Sequence, residues 1–105
     1  MKALVVIENG LAEMREVKTP DYGADEVLVR VKACAICGSD VHGYDGSSGR
    51  RQPPIIMGHE AAGMIECIGE RVTRYKPGDR VTFDSTEYCG SCYYCRKGMV
   101  NLCMH

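Results

Sequence analysis

The feature that most constrains the fold of this chain is a run of cysteines near its C-terminus. Four of the seven cysteines in the 105 residues follow the spacing Cys89-x2-Cys92-x2-Cys95-x7-Cys103. Residues 84–105 carry almost no aliphatic side chains, so hydrophobic packing alone cannot hold this segment. Zinc binds four thiolates tetrahedrally, and such a closed site contributes folding free energy to a segment without a core. The spacing therefore predicts a structural zinc site in a lobe at about residues 84–105.

Two other uses of these four cysteines stay open. Disulfides need an oxidising compartment, the chain shows no secretory signal, and an odd total of seven leaves one cysteine unpaired. Iron–sulfur clusters in bacterial ferredoxins use C-x2-C-x2-C-x3-C-P, whereas the last gap here is seven residues and no proline follows Cys103. A small iron–sulfur carrier is therefore kept as a less favoured alternative function.

The overall composition is that of one soluble globular domain, with 45% hydrophobic and 26% charged residues. Thirteen Lys and Arg residues against fourteen Asp and Glu residues give a net charge of −1, and neither sign forms a long run. We therefore expect no nucleic-acid partner. The apolar start at residues 3–7 is too short for a signal peptide or a membrane span, so we expect a cytoplasmic protein with no membrane partner.

Short segments rich in β-branched side chains, bounded by Gly, Pro or Asp, predict a mainly β domain. The predicted strands cover residues 1–7, 12–17, 26–33, 61–68 and 80–83. In the third strand, Val27, Val29 and Val31 fall on one face, as in a half-buried strand. Ser39 or Asp40 is predicted to cap a short helical turn.

Other local features receive ordinary structural interpretations. The glycines at 43, 46 and 49 belong to a predicted mobile loop at residues 43–54, because no strand leads into them and no helical pattern follows, as a phosphate-binding loop requires. Cys34 and Cys67 lie in predicted strands and are expected to be core thiols.

A second set of candidate ligands consists of Cys37, His59 and Glu60, each beside a glycine or at the end of a predicted strand. Taken from the residues alone, they could equally be a small core residue, a turn histidine and a surface acid. One thiolate, one imidazole and one carboxylate, completed by water, would form an open zinc site able to polarise an oxygen.

Four ordered motifs follow one another between residues 37 and 103: CGSDVH at residues 37–42, GHEAAG at 58–63, KPGDRV at 76–81 and the four-cysteine lobe. Together they resemble the N-terminal catalytic domain of the zinc-dependent medium-chain alcohol dehydrogenases. The first motif is most similar to the polyol (sorbitol-like) and threonine dehydrogenase branch. The resemblance implies a GroES-like, partly open β-barrel over residues 1–105, with short helical turns and the zinc lobe.

The resemblance also implies a catalytic zinc site. Cys37 and His59 would be ligands, with Glu60 either a third ligand or a neighbour that exchanges with water. Asp40 would orient His59 from behind and fix its tautomer, as metal-bound histidines require.

The implied activity is oxidation of a secondary alcohol or polyol through zinc-alkoxide formation and hydride transfer to NAD or NADP. Ser39 would take the hydroxyl proton, and His42 would pass it towards solvent. No Gly-x-Gly-x-x-Gly follows any predicted strand, so we expect the Rossmann cofactor domain to lie outside this chain. The chain is then expected to be an inactive N-terminal fragment of a homo-oligomeric enzyme. A non-catalytic zinc-stabilised β module is the main alternative.

Overall fold

Six β-strands form two three-stranded antiparallel sheets in the computed structural model, which describes residues 1–105. The first sheet has the order β2-β1-β4, with β1 at Lys2–Glu8, β2 at Leu11–Glu16 and β4 at Ile55–Ile56. The second has the order β3-β5-β6, with β3 at Val27–Ala35, β5 at Glu60–Ile68 and β6 at Arg80–Thr82. The predicted mainly β class is confirmed, and the two sheets share no strand that would close them into a barrel.

Alternation along β5 places its small and branched residues on the inner face. Ala61, Gly63 and Ile65 are buried, while the residues between them are exposed. In β3 the predicted alternation holds only in part, since Val27 and Val29 are half-buried but Val31 is 54% exposed. The pairing of β3 with β5 shifts register twice, and each shift changes which residues face inward.

The molecule is flat, measuring 41 × 36 × 20 Å, and its buried core is small. The core comprises Ala3, Val5 and Val6 of β1 together with Ala61 and Ile65 of β5. An apolar groove of about 580 Å³ lies on the second sheet, lined in part by Val29, Val81 and Phe83.

The two strand cysteines differ from their predicted burial. Cys34 is exposed, so its assignment as a core thiol is wrong, and Cys67 is half-buried. The cause at Cys34 is its place in the outer half of β3, where successive residues on both faces are exposed.

Two short helices and one 3₁₀ turn complete the chain. Helix α1 covers Gly38–Tyr44, α2 covers Tyr93–Arg96, and the 3₁₀ turn covers Val100–Leu102. Helix α1 begins at Gly38, before both predicted caps, because Cys37 occupies the N-cap position, two residues before Ser39 and three before Asp40. With seven residues in the longest helix, none can cross a membrane.

Helix α1 is tied at its far end to the β1–β2 hairpin. The backbone N–H of Gly10 donates to the carbonyl of Tyr44 at 2.8 Å, and the Tyr44 hydroxyl donates to the Gly10 carbonyl. Gly10 has φ +82°, which L side chains rarely adopt, so this turn depends on glycine. The N–H and the carbonyl of Gly10 therefore both join the hairpin to the end of helix α1.

Candidate metal centres

Strand register brings together two of the predicted ligands. In the pairing of β3 with β5, Ala35 faces Glu60. Cys37 follows Ala35 by two residues and His59 immediately precedes Glu60, so the same sheet edge carries both side chains. Gly58 turns the chain into β5 with φ +121°, and a side chain there would meet the sulfur of Cys34 at 2.9 Å. A bulkier residue at this turn would displace His59.

The first cluster contains one sulfur, one ring nitrogen and one carboxylate oxygen, from Cys37, His59 and Glu60. These three atoms lie within 4.8 Å of one another. Cys37 and His59 are partly buried, whereas Glu60 is exposed. The donor set has the size and chemistry of a three-ligand zinc site with an open position. Ser39 Oγ lies 3.5 Å from His59 Nε2, at the edge of this cluster.

Asp40 is the buried acid of α1 and connects the two ligand-bearing segments. Its Oδ2 accepts the backbone N–H of Cys37 at 3.0 Å, and its Oδ1 lies 3.3 Å from His59 Nδ1. Oδ1 and Nδ1 are both buried, are not aligned as a hydrogen bond and have no other hydrogen-bond partner. Each is thus the other's available partner, and a small rotation of the ring would complete the bond. That bond places the hydrogen on Nδ1 and leaves the Nε2 lone pair free.

His42 lies one helical turn beyond Ser39 and does not join the ligand cluster. Its Nδ1 is hydrogen-bonded to Ser47 Oγ at 3.0 Å, and the side chain is exposed to solvent. Residues three apart in a helix lie on neighbouring parts of one face. Ser39 and His42 are therefore ordered from the cluster outwards, with His42 at the solvent side.

The four lobe cysteines form the second cluster, and their sulfurs lie within 4.8 Å of one another. The sulfurs of Cys92 and Cys95 are 3.4 Å apart, and those of Cys89 and Cys95 are 4.0 Å apart. A tetrahedral site with Zn–S bonds of about 2.3 Å has S···S edges of about 3.8 Å. All seven cysteines are free thiols. The lobe sulfurs thus have the arrangement of a closed four-thiolate zinc site.

Backbone N–H groups point at the lobe sulfurs. Cys92 N donates to Cys89 Sγ at 3.3 Å, Cys89 N donates to Cys103 Sγ at 3.3 Å, and His105 N donates to the same sulfur at 3.5 Å. Four thiolates and one Zn²⁺ carry a charge of −2, and N–H dipoles stabilise that excess. Cys92 N lies in the turn between the first two lobe cysteines, Cys89 N belongs to the first of them, and His105 N follows the last. The lobe backbone that gathers the sulfurs therefore also supplies hydrogen-bond donors to them.

Hydrogen bonds and burial move the pKa values of the lobe thiols in different directions. Hydrogen bonds from the backbone and hydroxyl of Ser91, followed by the backbone of Cys92, lower the pKa of Cys89 to about 5. The backbone N–H of Cys95 lowers the pKa of Cys92, while burial raises the pKa of Cys95 to about 12. Metal binding requires thiolates, so the lowered pKa values of Cys89 and Cys92 favour binding, whereas Cys95 must lose its proton when a metal binds.

One residue near the first cluster has no distinguishing signal in the sequence. Arg51, in the segment between α1 and β4, places Nη1 4.0 Å from Asp40 Oδ1. Arg51 follows Arg50 in a glycine-rich segment, and the sequence of that segment does not show which arginine contacts a buried acid and which is exposed to solvent.

Comparison with known proteins identifies the family. Residues 23–105 match the model of the alcohol dehydrogenase GroES-like domain. Sorbitol dehydrogenase of Bacillus subtilis is 42% identical over 98% of this chain and 30% of its own length. L-Threonine 3-dehydrogenase of Anaeromyxobacter dehalogenans is 41% identical over 100% of this chain and 32% of its own length. The chain thus spans about a third of the length of these relatives.

A solved structure supports the same relationship. Zinc-dependent alcohol dehydrogenase 2 from Streptococcus pneumonia, in its apo form, superimposes with a TM-score of 0.85 at 38% identity, covering 99% of this chain and 30% of that one. The predicted resemblance, including its polyol and threonine dehydrogenase branch, is confirmed. This chain belongs to the alcohol dehydrogenase GroES-like domain family.

Proposed function

We propose that this chain is the zinc-binding part of the catalytic domain of an NAD(P)-dependent alcohol or polyol dehydrogenase. The observation that carries the proposal is the convergence of Cys37, His59 and Glu60, with Asp40 facing His59 from behind. A domain stabilised by metal alone would need only the four-thiolate lobe. A second, open cluster with an oriented histidine is what substrate chemistry requires.

The two clusters have different roles in this proposal. The lobe cysteines 89, 92, 95 and 103 hold a structural zinc, because four thiolates leave no position for a substrate. Cys37 and His59 hold a catalytic zinc, with the exposed Glu60 as third ligand or as a neighbour that exchanges with water. When bound there, Zn²⁺ acts as a Lewis acid that makes an alcohol hydroxyl easier to deprotonate.

The remaining site residues handle the proton. Ser39 Oγ lies at the edge of the cluster, within 3.5 Å of His59 Nε2, and accepts the substrate's hydroxyl proton. His42, one helical turn outwards and in contact with solvent, passes the proton on. Ser47 hydrogen-bonds His42 Nδ1 and thereby orients its ring. Asp40 fixes the tautomer of His59.

The hydride of the alcohol carbon goes to a nicotinamide, NAD or NADP, bound outside these residues in a homo-oligomeric enzyme. The substrate is a small secondary alcohol or polyol, the class named for the sorbitol dehydrogenase relative. Seven free thiols fit a reducing compartment, so we place the protein in the cytoplasm.

A cobalt titration tests this proposal, because thiolate-rich and mixed sites have different charge-transfer and d–d bands. We expect two metal ions per chain, one lost in the Cys37→Ser variant and the other in Cys92→Ser. Cys34→Ser, which changes an exposed thiol outside both clusters, is the matched control and should keep both. A chelator should remove the mixed-site metal first, because this site offers fewer soft ligands and an open position.

Two results would contradict the proposal. A wild-type chain that binds metal only in the lobe would fit a non-catalytic zinc-stabilised module instead. If the purified protein absorbed visible light and contained iron and sulfide, the iron–sulfur alternative would be indicated instead.

A further inference from the structure

Arg51 is a second neighbour of Asp40 Oδ1, the buried carboxylate oxygen that also faces His59. Its Nη1 lies 4.0 Å from Asp40 Oδ1, and its side chain is only 30% exposed. Two basic groups lie within 4.0 Å of Asp40 Oδ1, namely the His59 ring and the Arg51 guanidinium. Since a buried carboxylate is costly unless charges or donors surround it, Arg51 contributes to holding Asp40 in place.

The absence of a side chain at Gly43 in helix α1 leaves the space for this contact. Gly43 is three residues after Asp40, and these are the two buried residues of the helix, so they share its inner face. A Cβ at Gly43 would lie 2.7 Å from Arg51 Cδ and 2.8 Å from Met57 Sδ. The Arg51 stem therefore crosses α1 directly over this glycine.

Backbone conformation does not explain the glycine. Gly43 lies within α1 and its φ is outside the left-handed region, where glycine is the preferred residue. Glycine is disfavoured inside helices, so its presence here is accounted for by the space that Arg51 and Met57 occupy. Gly43 and Arg51 thus form one structural unit with Asp40.

We propose that Arg51 is a positioning residue for the catalytic site. It holds Asp40 Oδ1 against His59 Nδ1, and so keeps the neutral ring with its Nε2 lone pair directed at the ligand cluster. Gly43 admits the Arg51 side chain to this position. The inference rests on the proposed function, and it couples the segment between α1 and β4 to metal binding.

The test compares Arg51→Gln, Arg51→Lys and Gly43→Ala with Arg50→Gln, the adjacent arginine, which makes no ion pair. The first readout is the tautomer of His59 in the metal-free protein at alkaline pH, from long-range ¹H–¹⁵N spectra. The second is cobalt affinity of the mixed site, measured by chelator competition. The dispersion of the ¹H–¹⁵N spectrum reports whether α1 and the sheets of each variant are folded, and the four-thiolate cobalt spectrum reports whether the lobe is.

We expect Arg51→Gln and Gly43→Ala to weaken cobalt binding at the mixed site by about tenfold, the lower end of effects seen for residues behind metal ligands. Both should mix the tautomers of His59. Arg51→Lys keeps the charge and should retain most of the affinity. Arg50→Gln should match the wild type, and lobe binding should be unchanged throughout.

Three outcomes separate this inference from the proposed function. Wild-type affinity and an unmixed tautomer in Arg51→Gln would overturn the role of Arg51 while leaving the metal site intact. A loss in Gly43→Ala without one in Arg51→Gln would overturn it too, since the glycine would then act through Met57. A wild-type chain without mixed-site metal would contradict the proposed function, and a mixed tautomer in metal-free Arg51→Gln would still support the positioning role.

Discussion

Replacing Asp40 with asparagine tests the orientation of His59 with almost no change in shape. The wild-type carboxylate accepts the Cys37 N–H at 3.0 Å with one oxygen and faces His59 Nδ1 at 3.3 Å with the other. An amide can match only one of these partners. If its oxygen keeps the Cys37 N–H, its NH₂ group faces Nδ1 and forces the ring hydrogen onto Nε2.

The other amide orientation fails at the opposite contact. With its oxygen towards His59, the NH₂ group faces the N–H of Cys37, and two donors meet. An unpaired buried N–H costs about 1–3 kcal/mol. The wrong tautomer has a comparable free-energy cost. Loss of the hydrogen-bond partner behind a metal ligand weakens metal binding by about 10–100-fold, or about 1.4–2.8 kcal/mol. We therefore expect the Asp40→Asn variant to bind cobalt in the mixed site about 10–100-fold more weakly than the wild type.

Chelator competition on the cobalt-loaded chain measures this loss. Asp45→Asn is the control, because Asp45 is the exposed C-cap of the same helix and accepts the Ser47 N–H at 2.7 Å, away from the ligand cluster. The four-thiolate spectrum should be the same in both variants. Wild-type affinity in Asp40→Asn would show that Asp40 does not set the tautomer of His59.

Three further predictions concern the lobe, the sheet and a surface ion pair. In Cys92→Ser, limited proteolysis should cut within the lobe (residues 84–105) but spare the sheets, because the lobe has little core of its own; equal protection would refute this. Gly63→Ala should lower the free energy of unfolding by about 1–3 kcal/mol, because its Cβ would overlap a backbone carbonyl of β3. Gly38→Ala, with open space at its Cβ, should change it by less than about 0.5 kcal/mol in denaturant titrations. Arg71 lowers the pKa of Asp25. The pair therefore stabilises the fold above the ordinary carboxyl pKa, and this stabilisation is lost as the pH falls through the lowered pKa. In the Arg71→Gln variant, an NMR titration should show that the pKa of Asp25 has risen.

The lobe and the strands follow from local sequence, whereas the cluster of Cys37, His59 and Glu60 depends on the strand register. Four cysteines within fifteen residues can meet only each other, so their spacing was sufficient to predict the cluster. Cys37 and His59 are twenty-two positions apart and meet because Ala35 pairs with Glu60. No local pattern specifies that pairing, and only the motif resemblance pointed to it.

Two other misjudged features have physical causes that a sequence pattern does not carry. Val31 fits the alternation of its strand, but the register shifts of β3 expose it. Helix α1 starts after Cys37 because Asp40, at its third position, reaches back to accept the Cys37 N–H. Asp40, one of the two predicted caps, is thus the second member of a reciprocal cap whose N-cap, Cys37, lies three residues earlier.

The two hydrogen bonds between Gly10 and Tyr44 anchor helix α1, which carries Ser39 and Asp40, to the first hairpin. The family match begins at residue 23, so the hairpin lies outside the region by which the domain is identified. Yet α1 is held at its start by Asp40 and at its end by the hairpin turn. An engineer who exchanges N-terminal segments between such enzymes to improve expression should therefore transplant the turn glycine along with its tyrosine partner.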